Sequence, residues 1–395
     1  MKKEVELGEI CDLINGDRGK NYPSQSTLVS KGIPFINAGC LENKRIEIGR
    51  VTFITREHFN KLSGGKIKKG DILFCLRGSL GKFAINDNLE EGAIASSLVI
   101  IRPNEDVINL SYLGHFLDSP TCETLISKND NGSSQPNLSA ASVKKFTIPL
   151  PPLPEQQRIA RLLDLADGLR QKQQQLLLEY DRLLESVFLE MFGDPVKNEK
   201  GWEETQLGSV CSKIGSGATP SGGKESYLDS GISLIRSLNV YDNDFKYKDL
   251  AFISDGQAEK LKNVIVKAND VLFNITGASV CRCTIVPPDI LPARVNQHVA
   301  ILRPKEKLLN SIFLCHNLIS ENVKSKLLNI SGQGGATREA ITKEGLVNFT
   351  IILPPLELQN RFAAIVENIE GQKAKAQAQL DAAEGLFGGL LQGAF

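Results

Sequence analysis

The residues that could do chemistry in this chain are few and widely spaced. Four histidines occur, His58, His115, His298 and His316. None has a partner at the H-E-x-x-H spacing that sets two imidazoles on one helix face to hold zinc. Glycine–lysine pairs stand at Gly19-Lys20, Gly65-Lys66, Gly81-Lys82 and Gly223-Lys224, followed by Asn, Ile, Phe and Glu. A phosphate-cradling loop needs Ser or Thr at that next position, so no nucleotide loop is encoded. No glycine-rich dinucleotide fingerprint follows a strand. The proline pairs read Leu-Pro-Pro-Leu and Val-Pro-Pro-Asp, unlike the Asp-Pro-Pro-Tyr type of an amino-methylating enzyme. Cys11, Cys40, Cys75, Cys122, Cys211, Cys281, Cys283 and Cys315 lie in apolar runs. Only Cys281 and Cys283 are close, without the paired spacing of a zinc site, so buried thiols are expected. Neither catalytic residues nor a metal site are expected in the chain itself.

The elements that would position a binding surface come from the chain's organisation. A chain of 395 residues exceeds what one core supports, so at least two domains are expected. Hydrophobic content of 41% and charged content of 23% are ordinary for a globular protein. No stretch approaches the ~20 apolar residues of a membrane span. The start, Met1-Lys2-Lys3-Glu4-Val5-Glu6, is charged and lacks an apolar signal core, which predicts a cytoplasmic location and no membrane partner. Net charge is zero, yet residues 1–150 hold 19 Lys and Arg against 17 Asp and Glu. Residues 201–353 hold 17 against 15. That slight excess permits DNA contact only through local basic loops.

The chain repeats itself. Leu7-Gly8-Glu9-Ile10-Cys11 recurs as Leu207-Gly208-Ser209-Val210-Cys211, and Gly70-Asp71-Ile72-Leu73-Phe74 as Asn269-Asp270-Val271-Leu272-Phe273. Ile100-Ile101-Arg102-Pro103 recurs as Ile301-Leu302-Arg303-Pro304, and Pro151-Pro152-Leu153 as Pro354-Pro355-Leu356. One unit of about 200 residues is therefore used twice in the same order. Divergence concentrates in loops, as in Asp17-Arg18-Gly19-Lys20-Asn21 against Gly217-Ala218-Thr219-Pro220-Ser221. A shared scaffold with different loops fits two readers of two targets; a bare duplication is the alternative.

Within a unit, 33–37, 51–55, 71–76 and 97–102 read as short strands. Residues 110–117, 120–127, 311–319 and 320–328 read as helices. Each unit is thus an α+β domain, followed by proline punctuation and a long helix. The boundaries read as 1–150, 151–200, 201–353 and 354–395. The first long helix carries a heptad ladder, Ile159, Leu162, Ala166, Leu169, Gln173, Leu176, Tyr180, Leu183, Val187. The second carries Phe362, Ile365, Ile369, Gln372, Ala376, Gln379, Ala383, Leu386. A further apolar stripe lies one step off, at Leu163, Arg170, Leu177, Leu184, Met191 and at Val366, Lys373, Leu380, Phe387. A helix pair needs only one seam, so this stripe faces either the chain's own domains or another protein. The two helices are expected to pair with each other. If antiparallel, they form a coiled coil with a domain at each end and a pseudo-two-fold axis. The ladder from Ile159 to Val187 is roughly 42 Å long at ~1.5 Å per residue, somewhat more than one duplex turn of ~34–36 Å.

At this point the chain resembles the specificity subunit of type I restriction–modification systems. The carriers are the 152–160 run Pro-Leu-Pro-Glu-Gln-Gln-Arg-Ile-Ala, Phe192-Gly193-Asp194-Pro195 followed by Trp202, and Gly70-Asp71-Ile72-Leu73 with Arg77-Gly78-Ser79 and Gly81-Lys82. The second copy departs: Asn269 replaces Gly70, Thr276-Gly277-Ala278 replaces Arg77-Gly78-Ser79, and Glu357-Leu358-Gln359-Asn360 replaces Glu155-Gln156-Gln157-Arg158. The resemblance implies two target-recognition domains, each reading one half of a split, asymmetric double-stranded DNA target, with the helices setting the gap. It implies two methyltransferase subunits docked on the helices and two restriction subunits. S-adenosylmethionine, ATP and magnesium would be bound by those partners, in a prokaryotic cytoplasm.

Base edges call for Arg, Asn and Gln, while Lys and Ser hold phosphates. The expected DNA residues of the first domain are Arg18, Lys20, Asn37, Arg77, Lys82 and the 131–135 loop with Asn131, Ser133 and Gln135. Lys61, Lys66, Lys68 and Lys69 form a phosphate candidate or a solvated turn. Those of the second are Thr219, Ser221, Lys224, Arg236, Asn239, Arg282 and Gln333. A related restriction system with another nuclease partner, an enzyme with an unfamiliar site, and a scaffold without DNA affinity are the competing readings.

Overall fold

The computed structural model describes residues 4–132, 136–220, 223–332 and 340–395, with the side chains of 224 and 330–332 outside the description. Two compact units emerge, Met1–Gln174 with Ala378–Phe395, and Gln175–Gln377.

The first unit is built on an antiparallel sheet ordered Cys11–Asn15, Leu98–Pro103, Ile72–Cys75, Phe83–Ile85. Leu98–Pro103 is apolar at consecutive positions because both of its faces are covered. Val99 and Ile101 pack on Tyr112, Leu113 and Phe116 of helix Leu110–Leu117. Leu98 and Ile100 pack on the opposite side with Ile36, Cys40 and Leu41. A second sheet, Ala93–Ile94, Ile33–Ile36, Thr52–Ile54, Leu28–Val29, lies beyond that side. Glu4–Glu6 pairs with Thr147–Pro149, fastening the start of the unit to its last strand.

The second unit repeats this plan. Its antiparallel sheet is Cys211–Ser216, Val299–Pro304, Val271–Asn274, Cys283–Ile285. Its second sheet is Ala251–Ile253, Ile232–Ile235, Ala293–Val295, Ile265–Val266. The strands read from sequence are present, each shortened or shifted by a residue or two, as element ends commonly are. Helices Leu110–Leu117 and Ser311–Ile319 have the bounds read from sequence, while Pro120–Asn129 and Glu321–Gly332 run further. All eight cysteines are buried thiols.

Two polar devices recur in both units. Asp71, 1% exposed, receives Nε and Nη2 of Arg102 at 2.7 and 2.8 Å and the Lys68 amide at 2.7 Å. Asp270, fully buried, receives Arg303 at 2.6 and 2.7 Å and the Lys267 amide at 2.7 Å. A buried carboxylate is tolerated only when paired and hydrogen-bonded on all sides. The second device is a buried glutamine at the foot of each long helix. Gln156 accepts from the Asn109 amide and donates to the carbonyls of Val107 and Pro151. Gln359 does the same with Asn310, Leu308 and Pro354. The equivalence is therefore Gln156 with Gln359, one residue away from the pairing of Glu155–Arg158 with Glu357–Asn360 read from sequence.

The long helices, Leu153–Phe192 and Leu356–Ala394, each contribute to both units. In the first unit Leu163 and Ala166 pack on Phe387, Leu391 and Ala394. In the second, Leu184, Phe188 and Phe192 pack with Phe362, Val366 and Ile369. Within each unit the segments run antiparallel: Phe192 lies against Phe362 while Asp181 pairs with Lys373 at 2.8 Å, and Ile159 lies near Phe395 while Arg170 covers Phe387.

The seam itself differs from the one read. Leu162, Leu169, Leu183 and Leu386 are exposed, whereas Leu163, Leu184, Val366, Leu380 and Phe387, read as facing either the chain's own domains or another protein, are buried within the chain. Leu177 and Met191 are half-buried. Ala166, Phe362, Ile369, Ala376 and Ala383 are buried as expected of a seam, and Ile159, Leu176, Tyr180, Val187 and Ile365 are half-buried. The true ladder steps 362, 366, 369, 373, 376, 380, 383, 387. Steps of 4 then 3 satisfy a heptad as well as 3 then 4. With Leu at both 162 and 163 and at both 183 and 184, hydrophobicity alone cannot separate the two choices.

Candidate nucleic-acid interface

One end of each antiparallel sheet gathers the polar loops. In the first unit the gathering point is the turn 95–97, just before the buried strand. Gly16 sits so close that a Cβ there would lie 2.7 Å from the Ala95 carbonyl. The loop that follows is fastened by Asp17. Its carboxylate accepts from the amide and hydroxyl of Ser63, both at 2.9 Å, and from the Gly19 amide at 2.7 Å. Those backbone donors hold its carboxyl below the usual range. Arg18 then reaches the Ser96 carbonyl at 3.4 Å. Asn21 donates to the Lys61 carbonyl, which brings Lys61 beside the same loop.

The hairpin loop after Ile72–Cys75 joins this end. The Leu76 amide donates to Ser97, and Arg77 Nε reaches Asn137 Oδ1 at 3.3 Å. Asn131 is tied to Asn137 through the backbone, and Lys82 closes the hairpin loop. Arg18, Lys20, Arg77, Lys82 and Asn131 therefore occupy loops joined to one another at one sheet end, with Lys61 at the end of helix Arg56–Lys61 beside them. Arg18, Lys20, Lys61, Arg77 and Asn131 are exposed there.

Lys68 and Lys69 do not join them. They lie on the turn entering Ile72–Cys75, held by Asp71 at the opposite end of that strand. Lys66 rests over the Phe59 ring, 5.0 Å from its centroid. The four lysines read as one cluster are thus divided between regions. Asn37 is half-buried and caps the turn Ala38–Cys40, accepting from Gly39 at 2.8 Å.

In the second unit the corresponding turn is 296–298. Gly217 has the same role as Gly16, a Cβ there falling 1.8 Å from the Val295 carbonyl. The structural equivalence thus sets Arg18 against Thr219, one residue off the sequence pairing of the two loops. Thr219 Oγ1 donates to Gln297 Oε1. Gln297 Nε2 lies 3.2 Å from His298 Nε2, and His298 Nδ1 lies 2.6 Å from Thr276 Oγ1. The Ile275 amide donates to the His298 carbonyl, joining the 275–281 loop to the turn.

Asn239 is corrected. It is fully buried, accepts from the Arg236 amide, and donates to the carbonyls of Lys246 and Lys248. Its side chain shapes a loop and has no open edge for a base. Arg236 is half-buried, covers the Tyr227 ring and donates to the Asp249 carbonyl. Arg282 stacks on Tyr241, 4.2 Å from its centroid. Ser133, Gln135, Ser221 and Gln333 lie outside the described residues, as does the side chain of Lys224.

Sequence reading missed Ser96, Ser97, Asn137, Gln297 and the engagement of His298 and Thr276. A signal existed: Ser96-Ser97 and Asn296-Gln297-His298 are polar runs placed immediately before the buried strands Leu98–Pro103 and Val299–Pro304. Among the described residues there is no group of three or more His, Cys, Asp or Glu arranged to hold a metal, and no helix long and apolar enough to cross a membrane.

The type I restriction modification DNA specificity domain matches this chain twice, over residues 2–179 and 199–382. The MjaIX specificity subunit of Methanocaldococcus jannaschii is 24% identical over 405 residues, spanning 96% of this chain and 88% of that protein. The EcoBI specificity subunit of Escherichia coli is 25% identical over 395 residues, spanning 92% and 78%. The S subunit of a type I system from M. genitalium has the same fold, with a TM-score of 0.62 at 14% identity over 100% of this chain and 96% of that one. Two matches in tandem, a duplicated α+β plan and two long helices agree, and the chain belongs to the type I restriction–modification DNA specificity family.

Proposed function

We propose that each unit reads one half of a two-part, asymmetric double-stranded DNA target, and that the chain supplies address and scaffold to a larger complex without catalysing a reaction itself. The observation that carries this is the contrast between conserved framework and divergent loops. The Asp–Arg pair and the helix-foot glutamine recur in both units, while the loops gathered at the sheet end carry different polar side chains at the turn before the buried strand. Arg18 and Arg77 stand on one, Thr219 and Gln297 on the other. Guanidinium groups and amides are the donors that distinguish base edges.

The exposed leucines support a second part of the reading. Leu162, Leu165 and Leu169, spaced 3 and 4 apart, are exposed on the first long helix, as is Leu183 further along it, and Leu386 is exposed on the second. These leucines, rather than the buried stripe that was one candidate from sequence, are the docking face for two methyltransferase subunits, which bind S-adenosylmethionine. Two restriction subunits with ATP and magnesium complete the complex, in the prokaryotic cytoplasm where the DNA is. The long helices set the gap between half-sites.

The test is to co-express the chain with its methyltransferase subunit and map methylated bases across a genome by single-molecule sequencing. The expected result is a motif of two fixed halves with a constant gap. A continuous motif, or none together with failure to co-purify, would sink the proposal.

A further inference from the structure

Gln297 is held in a way that leaves a defined hydrogen-bonding edge. It is exposed, on the turn between Ala293–Val295 and Val299–Pro304. The amide oxygen accepts from Thr219 Oγ1, and the amide nitrogen faces His298 Nε2 at 3.2 Å. An amide nitrogen only donates, so His298 Nε2 is the acceptor and its proton sits on Nδ1. That Nδ1–H donates to Thr276 Oγ1 at 2.6 Å. The His298 amide is itself anchored on Asn296 Oδ1 at 3.0 Å, and Asn296 is buried. The chain Thr219, Gln297, His298, Thr276 spans three loops and fixes which side of the amide carries oxygen and which nitrogen.

One lone pair on the oxygen and one N–H remain. That pair, side by side, is the complement of the N6 amino donor and N7 acceptor on the major-groove edge of adenine. Guanine offers two acceptors at the same place and would meet the Gln297 oxygen with like polarity. The equivalent turn of the first unit carries no amide side chain: its residues are Ser96 and Ser97, beside Arg18.

We infer that Gln297 reads an adenine in the DNA half-site of the second unit, with Thr219 and His298 as the positioning residues that orient its amide. This rests on the proposal that each unit reads one half-site. The experiment is the methylation map of the full complex, with wild type and three variants in parallel. Gln297→Ala is expected to co-purify with its partner and leave the first half and the gap unchanged. It should relax one position of the second half, where wild type requires adenine, lowering discrimination there by roughly tenfold to a hundredfold. Thr219→Val should blur that same position, and Thr219→Ser, which keeps the hydroxyl, should restore it. A wild-type map without a two-part motif overturns both this inference and the reading beneath it. A two-part wild-type motif that Gln297→Ala leaves unchanged, or relaxes at a position other than adenine, overturns the inference alone.

Discussion

The two units share a framework and part company at one end. Both bury an aspartate under a two-bonded arginine, both clamp the foot of a long helix with a glutamine, and both need a glycine where a loop presses on a turn. The gathered loops carry different chemistry, guanidinium in the first unit and an amide–imidazole chain in the second. The difference teaches that a recognition domain can be re-addressed without disturbing its core, because the framework polar groups are satisfied by one another and by backbone groups away from the gathered loops.

The comparison can be broken most forcefully at the helix pairs. Phe192 is fully buried and packs on Phe188, Phe313 and Phe362. Phe395, 203 positions on, is half-buried against Tyr112 and Phe116. Phe192→Ala is expected to cost about 3–5 kcal/mol by the cavity it leaves, and Phe395→Ala clearly less. Denaturant titration with hydrogen exchange resolved by unit would check this; equal costs would show that burial is not what distinguishes the two sites.

Acid sharpens the comparison next. Both His115 and His316 are buried beside a phenylalanine, but His115 bonds to Asp164 at 2.7 Å, whereas His316 packs edge-on against Phe362 with the Lys373 ammonium nearby. Burial, with the Lys373 ammonium adding to it, pushes His316 down to about 4. Its folded pKa lies below the unfolded value near 6.5, so the unfolded chain binds the extra proton first. Its stabilising preference is fully present above pH 6.5 and is lost as pH falls toward 4, on the order of 3 kcal/mol in all. The second unit should therefore loosen before the first between pH 6 and 4, and His316→Gln should flatten that difference. Hydrogen exchange against pH measures it, and parallel loosening of both units in wild type would contradict it.

A smaller effect concerns recognition. Arg77→Ala should relax one position of the first half-site by about 1–3 kcal/mol and leave the second half intact. Methylation mapping reads this, and a change confined to the second half would reverse the assignment of units to half-sites. The smallest effect on stability is expected at the outer leucines. Leu165, 59% exposed, should accept Leu165→Gln within about 0.5 kcal/mol while weakening methyltransferase co-purification. An unfolding midpoint that drops sharply would mean that this face packs on the chain itself.

Much of the fold was legible because its signals are local or repeated. The paired blocks around Asp71 and Asp270 established duplication, and the run 97–102, with its repeat of 100–103 at 301–304, read as a strand. The candidate interface was legible only in part. Arg18 and Arg77 were found because loop arginines are conspicuous, but Asn239 has the same composition signal and is consumed by backbone carbonyls. The lysines at 61, 66, 68 and 69 are neighbours in sequence and not on the surface, since the chain turns between them.

The sequence by itself determined the repeat, the strand and helix periods, and the two long helices, all properties of residue order and spacing. Tertiary structure decided which of two equally regular leucine ladders is buried, that Gln156 answers to Gln359, and that Gln297 joins Thr219, His298 and Thr276. Those outcomes depend on which faces meet across long stretches of chain. Hydrophobicity and spacing along one segment carry no record of the partner that covers it.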